Sequence, residues 1–493
     1  MTADVGIERL RGNHRHFLED VAELRRLVAA RRGEEMVRLA GALASRLWFD
    51  HAGIHTSRQL ERLIAAQAVA GSGGGTGVQR HDPPRRVLHV LSQAYSLGGH
   101  TRLAWRWIQA DTARRHSVVL TRQAGSEVPR ALIDAVAGGG GQLRLLRGGN
   151  SRQLAAELRE ASRRADLVVL HVHPDDPLPL LAFADPAGRP PVLHVNHADH
   201  VFWLGVAACD AVVHVRESGS ALSMQRRGVP PERTAMVPLP LVPTVQQPRS
   251  AARAALGLSE STQLLFSMGE PYKYRPVQDV SWPGLLEATQ TYLQSHPRVA
   301  MLVAGPSGLD EWAAASRATG GRIQALGRVA DPAAHRASAD VYLDSAPIGS
   351  VTAALESGAA GLPVVALTPA DEGVAVLSAD SPGLDHVLAR ASTIDDLHAA
   401  LDRLLADPTA AAEQGARTAE AVARLHTGPG WLAFVEAAYR SAAVAHASGD
   451  PMTPPDDDDQ PRTELLDRAL VGLQTSPIEV PPMVATHVRL TRL

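Results

Sequence analysis

A strand, a helix and a second strand follow one another in Val341-Tyr-Leu-Asp-Ser-Ala-Pro-Ile-Gly-Ser-Val-Thr-Ala-Ala-Leu-Glu-Ser-Gly-Ala-Ala-Gly-Leu-Pro-Val-Val-Ala-Leu367. The first apolar run ends at Asp344, a loop containing Pro and Gly follows, and a helix is predicted from about Val351 into Gly361. Short β runs that alternate with helical stretches are typical of βαβ units with parallel strands.

The same alternation continues on both sides of this segment. Two series of short apolar runs are separated by the Pro-rich passage Pro238-Leu-Pro-Leu-Val-Pro243. The predicted strands are 87–91, 118–120, 166–173, 191–195 and 211–215 in the first series, and 264–268, 299–304, 322–326, 341–344 and 363–367 in the second. The sequence therefore predicts an α/β fold with two doubly wound, Rossmann-like domains, whose ligands bind at the carboxyl ends of strands in a cleft between the domains.

Differences in composition divide the rest of the 493-residue chain into helical, linker and tail regions. Residues 1–69 lack Pro and carry apolar residues at helical spacing, whereas Gly71-Ser-Gly-Gly-Gly-Thr-Gly77 has the composition of a flexible linker. The charged, Pro-rich stretch Asp450–Asp459 indicates disorder. The predicted regions are a helical N-terminal segment (1–70), a linker (71–85), an acceptor-side domain (86–245), a donor-side domain (255–425), a C-terminal helix (426–447) and a mostly disordered tail (448–493).

Charge and cysteine content exclude several classes of protein. A net charge of −3 argues against a bulk nucleic-acid binder, and the single cysteine, Cys209, excludes a disulfide framework and a Cys-rich zinc site. The first twenty residues lack the apolar core of a secretory signal, and no uninterrupted apolar run reaches the roughly 18 residues of a spanning helix. We therefore expect a soluble, cytoplasmic protein.

Lysine is almost absent. Of 49 basic residues, only Lys273 is a lysine. Arginine occupies every other basic position, so Lys273 marks a place where a compact ammonium group with three rotatable donors could be needed. The alternative is that one lysine has survived at random.

The helix predicted from Val351 begins in a loop of small residues, which creates a potential anion site. Amide groups and the helix dipole at such an N-terminus favour phosphate, and Gly349, Ser350 and Thr352 lie there. Glu356 lies one turn further along, where its carboxylate could accept hydrogen bonds from ribose hydroxyls. The alternative is an ordinary helix start capped by a hydroxyl side chain.

The spacing of these residues resembles the nucleotide-sugar site of GT-B glycosyltransferases. Asp344, Pro347, Thr352, Gly361 and Pro363 match, without a gap, the Asp-x2-Pro-x4-Thr-Thr-x2-Asp-x4-Gly-x-Pro pattern of the O-GlcNAc-transferase-like branch. That pattern's second Thr and second Asp are replaced here by Ala353 and Glu356. The Glu-x7-Glu-x4-Gly-x-Pro pattern of the glycogen-synthase-like retaining branch fits less well, because its first Glu falls on Ile348.

The resemblance extends to the loop after the first donor-domain strand. The preferred branch has a Lys-x-x-Pro there, which Lys273 and Pro276 match, and it implies that Lys273 neutralises the leaving nucleoside diphosphate. The resemblance places His335 where it could stack on or cap the base, although a surface helix histidine is equally compatible with the sequence. It further implies a UDP-sugar as the donor substrate, no separate cofactor, no metal, and inversion at the anomeric carbon.

In the first domain, the predicted strand 87–91 runs into a glycine-containing loop. Gly98 and Gly99 would let the backbone approach an acceptor closely, and His100 at the following helix start is a candidate base. We expect the helix dipole to lower the pKa of His100 and so keep the imidazole neutral.

A second group of histidines lies in His171-Val-His-Pro-Asp-Asp176 and His194-Val-Asn-His-Ala-Asp-His200. We expect His173 and His200 to line the acceptor side, and His197 or Asp199 to act as a further candidate base. Two alternatives remain open: simple packing, and a zinc or iron site formed by His171, His173, His197, Asp199 and His200.

The residues together predict a hexosyltransferase type of glycosyltransferase that uses a nucleotide-diphosphate sugar. The alternatives are a GT-B enzyme without transferase activity, such as a nucleotide-sugar 2-epimerase, and a catalytically inactive partner subunit. A protein, peptide, lipid or small molecule could be the acceptor, while nucleic acid is not expected as a partner. The sequence leaves the oligomeric state open.

Overall fold

The computed structural model describes residues 3–70, 80–96, 99–123, 125–242, 247–277, 284–368, 371–456 and 458–475. The chain divides into two compact units, one formed by residues 2–240 together with 431–493 and the other by residues 241–430. Within the described ranges, no helix is long and apolar enough to cross a membrane.

The first unit begins with three helices, which confirms the predicted N-terminal helical segment. They are α1 (Ala3–Ala29), α2 (Gly33–Phe49) and α3 (Arg58–Ala65). Phe17 of α1 and Leu43 of α2 are almost fully buried, in the same apolar cluster as Leu88 and Val90 of the following sheet. The helical segment is therefore part of the core of this unit.

The sheet of the first unit has seven parallel strands in the order β3-β2-β1-β4-β5-β6-β7. Its strands are β1 (Arg86–Leu91), β2 (Arg115–Leu120), β3 (Leu143–Leu145), β4 (Leu167–His171), β5 (Val192–Asn196), β6 (Ala211–His214) and β7 (Thr234–Met236). The accompanying helices are α4 (Gly99–Ala110), α5 (Arg130–Gly138), α6 (Ser151–Ser162), α7 (Leu178–Phe183) and α8 (Glu217–Arg227). Every residue of β4, β5 and β6 is buried, as expected for a sheet covered on both faces.

The second unit has a six-stranded parallel sheet in the order β10-β9-β8-β11-β12-β13. Its strands are β8 (Gln263–Met268), β9 (Val299–Ala304), β10 (Ile323–Ala325), β11 (Val341–Leu343), β12 (Val364–Leu367) and β13 (Ala389–Ala391). Its helices are α9 (Arg249–Ala255), α10 (Leu285–Ser295), α11 (Asp310–Ala318), α12 (Ala333–Ser338), α13 (Val351–Ala359), α14 (Ile394–Ala406) and α15 (Pro408–His426). Both sheets therefore confirm the predicted pair of doubly wound α/β folds.

The C-terminal segment begins with the helix predicted over 426–447, and beyond it residues 448–475 are more ordered than the predicted, mostly disordered tail. Helix α16 (Gly428–Ser448) places Trp431 in the first unit, where its indole donates a hydrogen bond to the carbonyl of Pro238 at 2.7 Å. Helix α17 (Leu465–Thr475) packs against α1. Between them Asp458 is buried and accepts hydrogen bonds from the Ser57 hydroxyl at 2.7 Å and the Gln59 amide at 2.9 Å.

The acidic composition therefore reflects a carboxylate with a buried structural role rather than disorder across the whole segment. The end of the predicted tail, residues 476–493, lies outside the described residues, as does most of the predicted linker (71–79).

Candidate functional site

In the second unit, a short 3-10 turn follows β8 and carries the single lysine. The turn Pro271–Tyr274 directs Lys273 toward the start of α13, where its ammonium group donates a hydrogen bond to the carbonyl of Gly349 at 2.9 Å. The backbone supports the same approach, since the amide of Ile348 lies 3.4 Å from the carbonyl of Lys273. The structure thus brings Lys273 and the helix start together, although 76 residues separate Lys273 from Gly349.

Close packing explains why small residues precede α13. A Cβ atom on Gly349 would lie 2.7 Å from the backbone nitrogen of Ala379, and one on Gly269 would lie 2.6 Å from the hydroxyl of Ser350. The hydroxyls of Ser345 and Ser350 are 2.8 Å apart. The loop that leads into the helix is consequently held in one conformation by its neighbours.

Asp344 is buried under this helix start. Its carboxylate accepts a hydrogen bond from the amide of Ser350 at 3.1 Å, and a second at 3.2 Å from the phenol of Tyr342. Burial raises the pKa of Asp344 to about 6, while the nearby positive charge of Lys273 acts in the opposite direction. The amide of Ser350 is therefore engaged by the protein itself.

The next amides of α13 remain for an anion. The first helical hydrogen bond runs from Ala354 to the carbonyl of Ser350, so residues 351–353 form the first turn, where helical N–H groups have no acceptor within the helix. Thr352 lies in that turn and is half-buried. An anion at this helix start would therefore meet the amides of residues 351–353, one residue further into the helix than Ser350.

Glu356 has a protein partner. Its carboxylate forms an ion pair with Arg336 of α12 at 3.2 Å, with both side chains only about a tenth exposed. His335 stacks on Phe266, with ring centroids 6.1 Å apart, and burial lowers the pKa of His335. The ribose contact predicted for Glu356 would therefore be made by a carboxylate that Arg336 already positions.

In the first unit, three predicted histidines form a cluster after adjacent strands. His100 lies in the first turn of α4, and His173 and His197 follow β4 and β5. The ring of His100 is 4.9 Å from that of His197 and 5.3 Å from that of His173, centroid to centroid. Tyr95 stacks on His173 at 6.0 Å.

These three imidazoles are held in the neutral form. Burial lowers the pKa of His173 to about 4 and lowers the pKa values of His100 and His197 as well. Burial is the largest cause at His100, and the neighbouring His197 and His173 lower its pKa further. A neutral imidazole can accept a proton, so the cluster has the protonation state that a general base requires.

Asp199 is held in a buried ion pair. Its carboxylate forms a two-pronged ion pair with Arg216, at 2.6 Å and 2.8 Å, and both side chains are buried. Burial opposes ionisation, but Arg216 holds the pKa of Asp199 well below its usual range. A carboxylate held in this ion pair is a weak proton acceptor, and the catalytic role expected for Asp199 stays a prediction. His200 is half-buried, 3.4 Å from the Asp199 carboxylate.

The metal site proposed as an alternative for these residues is not formed. The ring of His171 points toward His89, with the nearest nitrogens 3.0 Å apart, whereas His173 packs on Tyr95 and Asp199 pairs with Arg216.

Of the two glycines predicted to approach the acceptor, Gly99 begins α4, and Gly98 lies outside the described residues.

A chain of buried histidines crosses the first sheet and was not predicted from the sequence. His171, His89 and His116 lie on neighbouring strands β4, β1 and β2. The His89 ring is 3.0 Å from the Nε2 atom of His171 and 2.9 Å from the Nδ1 atom of His116, whose Nε2 atom is 2.8 Å from the carbonyl of Asp111. The strand registers place these side chains on one face, a pattern that could have been read from the sequence.

The carbonyl of Asp111 fixes one end of this histidine chain. A carbonyl only accepts, so Nε2 of His116 carries a proton, and this nitrogen also lies 3.4 Å from the Asp111 carboxylate. The central ring of His89 donates through one nitrogen and accepts through the other, toward His116 on one side and His171 on the other. Burial lowers the pKa of His171 to about 3.

Residues 274–407 match the family model described as glycosyl transferases group 1. No curated protein matches the sequence of the chain.

Several solved structures share the fold. A variant of the Thermobaculum terrenum O-GlcNAc transferase is 17% identical, with a TM-score of 0.53, over 89% of this chain and 84% of that chain. A Rickettsia africae glycosyltransferase is 10% identical, with a TM-score of 0.54, over 73% of this chain and 98% of that chain. The Anabaena protein HepE, solved in complex with UDP and glucose, is 15% identical with a TM-score of 0.51, over 73% and 98%. At these identities the likeness establishes the fold, which is GT-B.

Proposed function

Because residues 274–407 form a glycosyl transferases group 1 domain and the chain has the GT-B fold, we propose that it transfers a hexose from a nucleotide-diphosphate sugar to an acceptor nucleophile. The observation that carries the donor assignment is the approach of Lys273 to the start of α13, with 2.9 Å between its ammonium group and the carbonyl of Gly349. A cation and the first turn of a helix then meet at one place, which is the arrangement that a diphosphate requires.

The diphosphate gains negative charge as the glycosidic bond breaks, so groups fixed in advance around it lower the barrier. Lys273 supplies one full positive charge, and the amides of residues 351–353 supply the positive end of the helix dipole. In this proposal Lys273 exchanges its bond to Gly349 for a phosphate oxygen. The hydroxyl of Thr352 is placed to add a further donor.

Lysine suits this position better than arginine. The ammonium group lies in a half-buried site between the 3-10 turn and residues 348–349, where the broad planar guanidinium of an arginine would need additional acceptors. Everywhere else the sequence uses arginine as its basic residue. The retention of Lys273 is thus accounted for by the size of the site.

Uridine is our proposed base, and inversion our proposed stereochemical outcome. HepE, which shares the fold, was solved with UDP and glucose, and the O-GlcNAc transferase covers the largest share of this chain among the three structures compared. We further propose that a neutral imidazole, His100 or His197, removes the acceptor proton. Transfer then needs neither a metal ion nor a separate cofactor.

Thermal unfolding in the presence of UDP-, GDP- and dTDP-sugars tests the donor assignment. We expect a UDP-sugar to raise the unfolding temperature of the wild-type protein and to have much less effect on Lys273→Ala. Arg317→Ala is the matched control, because it removes an exposed cation of α11 from the same unit. If none of the sugars stabilises the wild type, the donor site is wrong. An equal gain by Lys273→Ala would remove Lys273 from that site.

An assay of donor consumption without acceptor separates transfer from the epimerase alternative. A transferase consumes donor slowly unless an acceptor is added, whereas an epimerase converts the donor alone. Rapid conversion of the nucleotide sugar to its 2-epimer would contradict the proposal.

A further inference from the structure

Two histidines and an aspartate meet in the first unit, among residues that the proposed reaction does not use. His51 follows α2, His55 precedes α3, and Asp467 belongs to α17. One ligand atom from each of the three lies within 4.8 Å of the others, and all three side chains are buried. From this geometry we propose that His51, His55 and Asp467 bind a divalent transition-metal ion, Zn²⁺, with a structural role.

His55 provides the independent evidence for a ligand. Its side chain is 2% exposed, and neither ring nitrogen has a hydrogen-bond partner among the residues that the structure describes. An imidazole buried without a partner is costly, since its lone pair and its N–H group have both left water. A metal ion bound at one nitrogen would satisfy the lone pair.

The chemistry of the three side chains is suited to coordination, because a metal ion binds the neutral form of imidazole and the ionised form of a carboxylate. Two imidazole nitrogens and one carboxylate oxygen form a donor set that Zn²⁺ accepts, with water as a fourth ligand.

The two oxygens of Asp467 face different partners. Oδ1 lies 2.9 Å from Nε2 of His51, whereas Oδ2 accepts a hydrogen bond from the amide of Glu464 at 3.0 Å and lies 3.5 Å from Arg226. Arg226 is itself paired with the carboxylate of Glu464 at 2.7 Å, so its charge is partly compensated. Oδ1 is therefore the oxygen that would bind the ion, while the contacts of Oδ2 with Glu464 and Arg226 orient the carboxylate.

Coordination requires only a small movement. The ligand atoms of a tetrahedral zinc site stand roughly 3.3–3.5 Å apart, because each lies about 2.0–2.2 Å from the metal. The separation of up to 4.8 Å among the three ligand atoms would thus contract by little more than 1 Å, which rotation of the His55 ring can supply.

The ion would fasten the C-terminal segment to the N-terminal helices. The same segment is already attached nearby, where the amide of Arg462 donates to the carbonyl of Gly53 at 3.1 Å and His14 lies 2.8 Å from the carbonyl of Asp458. A Cβ atom on Gly53 would lie 2.6 Å from the carbonyl oxygen of Arg462, so the two backbones are in close contact. The proposed metal therefore acts on an existing interface.

The test uses the full-length chain without a histidine tag, stripped with a chelator and titrated with ZnCl2 in a zinc buffer. We expect one tightly bound equivalent of zinc by elemental analysis after desalting, together with a higher unfolding temperature. His55→Ala and Asp467→Asn should lose that equivalent. His14→Ala is the matched control, because it loosens the same interface without removing a ligand, and it should retain the zinc.

Two outcomes overturn the proposal. Wild-type protein that retains well under one equivalent of zinc after desalting has no such site, whatever the variants do. Binding by His55→Ala equal to that of the wild type would assign the zinc to other histidines. His55→Gln, which keeps the volume of the side chain, replaces His55→Ala if the latter does not fold.

Discussion

The ammonium group of Lys273 lies 2.9 Å from the carbonyl oxygen of Gly349, at the start of the helix whose first free amides would bind a phosphate. Lys273 also moderates the pKa of the buried carboxylate of Asp344 beneath that helix. One residue therefore has two separable roles. It is available to neutralise a bound diphosphate, and it compensates a negative charge of the protein in the absence of one.

The second role predicts a pH-dependent change in stability. The pKa of Asp344 is raised to about 6, above its ordinary value of 3.8, so ionisation of this group removes stability as the pH rises between those values. Without the charge of Lys273 the folded-state pKa rises further, and the loss continues to higher pH. We expect Lys273→Met to lower the free energy of unfolding more at pH 8 than at pH 5, measured by urea denaturation.

Lys273→Arg is the control for this prediction, because it retains the positive charge. Any decrease in its free energy of unfolding relative to the wild type should be nearly independent of pH, since the carboxylate of Asp344 keeps a compensating cation. A deficit of Lys273→Met that is the same at pH 5 and pH 8 would show that the two side chains are not coupled.

A substitution at the centre of the histidine chain should strongly lower the free energy of unfolding. Replacing His89 by Leu removes one bond to His171 and one to His116, which leaves a donor and an acceptor unpaired in the buried sheet. Each such group costs about 1–3 kcal/mol, so we expect a loss of about 2–6 kcal/mol in the free energy of unfolding. His16→Ala, at an exposed position of α1, should change it by less than about 0.5 kcal/mol. A similar loss in both variants would contradict the hydrogen-bonded chain.

The strands could be predicted from the sequence where they are central. For β8 and β9 the predicted and observed bounds agree to within one residue, because a central parallel strand is apolar throughout. The strands β3, β7 and β13 were missed. Each has three residues and lies at the edge of its sheet, where side chains are only partly buried and no apolar run is needed.

The candidate site was predictable where it follows strand ends. The positions of Lys273, Gly349 and His100 come from loops at the carboxyl ends of strands, which topology brings to one edge of each sheet. The pairing of His51 with Asp467 was not predictable, because 416 residues separate them and the weak helical pattern around Asp467 does not say which surface it packs on. The ion pairs of Glu356 with Arg336 and of Asp199 with Arg216 were not predictable either. Residues that pair between different elements have no fixed spacing in the sequence.

The ion pair between Asp199 and Arg216 predicts a structural phenotype for a residue that the sequence suggested as a base. Asp199→Asn takes from the buried guanidinium of Arg216 the carboxylate that forms a two-pronged ion pair with it, and removal of one partner from a buried pair costs about 3–5 kcal/mol. We expect that loss in urea denaturation at pH 7. Adding Arg216→Met should recover part of it. If Asp199→Asn keeps full stability and loses only activity, Asp199 takes part in the chemistry instead.

The histidine cluster predicts the acid limb of the pH–rate profile. A base must be neutral to accept a proton, and burial lowers the pKa values of His100 and His197 below the ordinary 6.5. As the pH falls, kcat/KM should therefore stay level through pH 6.5 and decline only when the pH approaches the lowered value. We expect His100→Gln or His197→Gln, whichever removes the base, to lower kcat/KM by about 10²–10⁴-fold and to abolish that limb. The other variant should keep the limb while changing KM. An acid limb centred at or above pH 6.5 in the wild type would exclude both imidazoles, because neither is protonated at that pH in the folded chain.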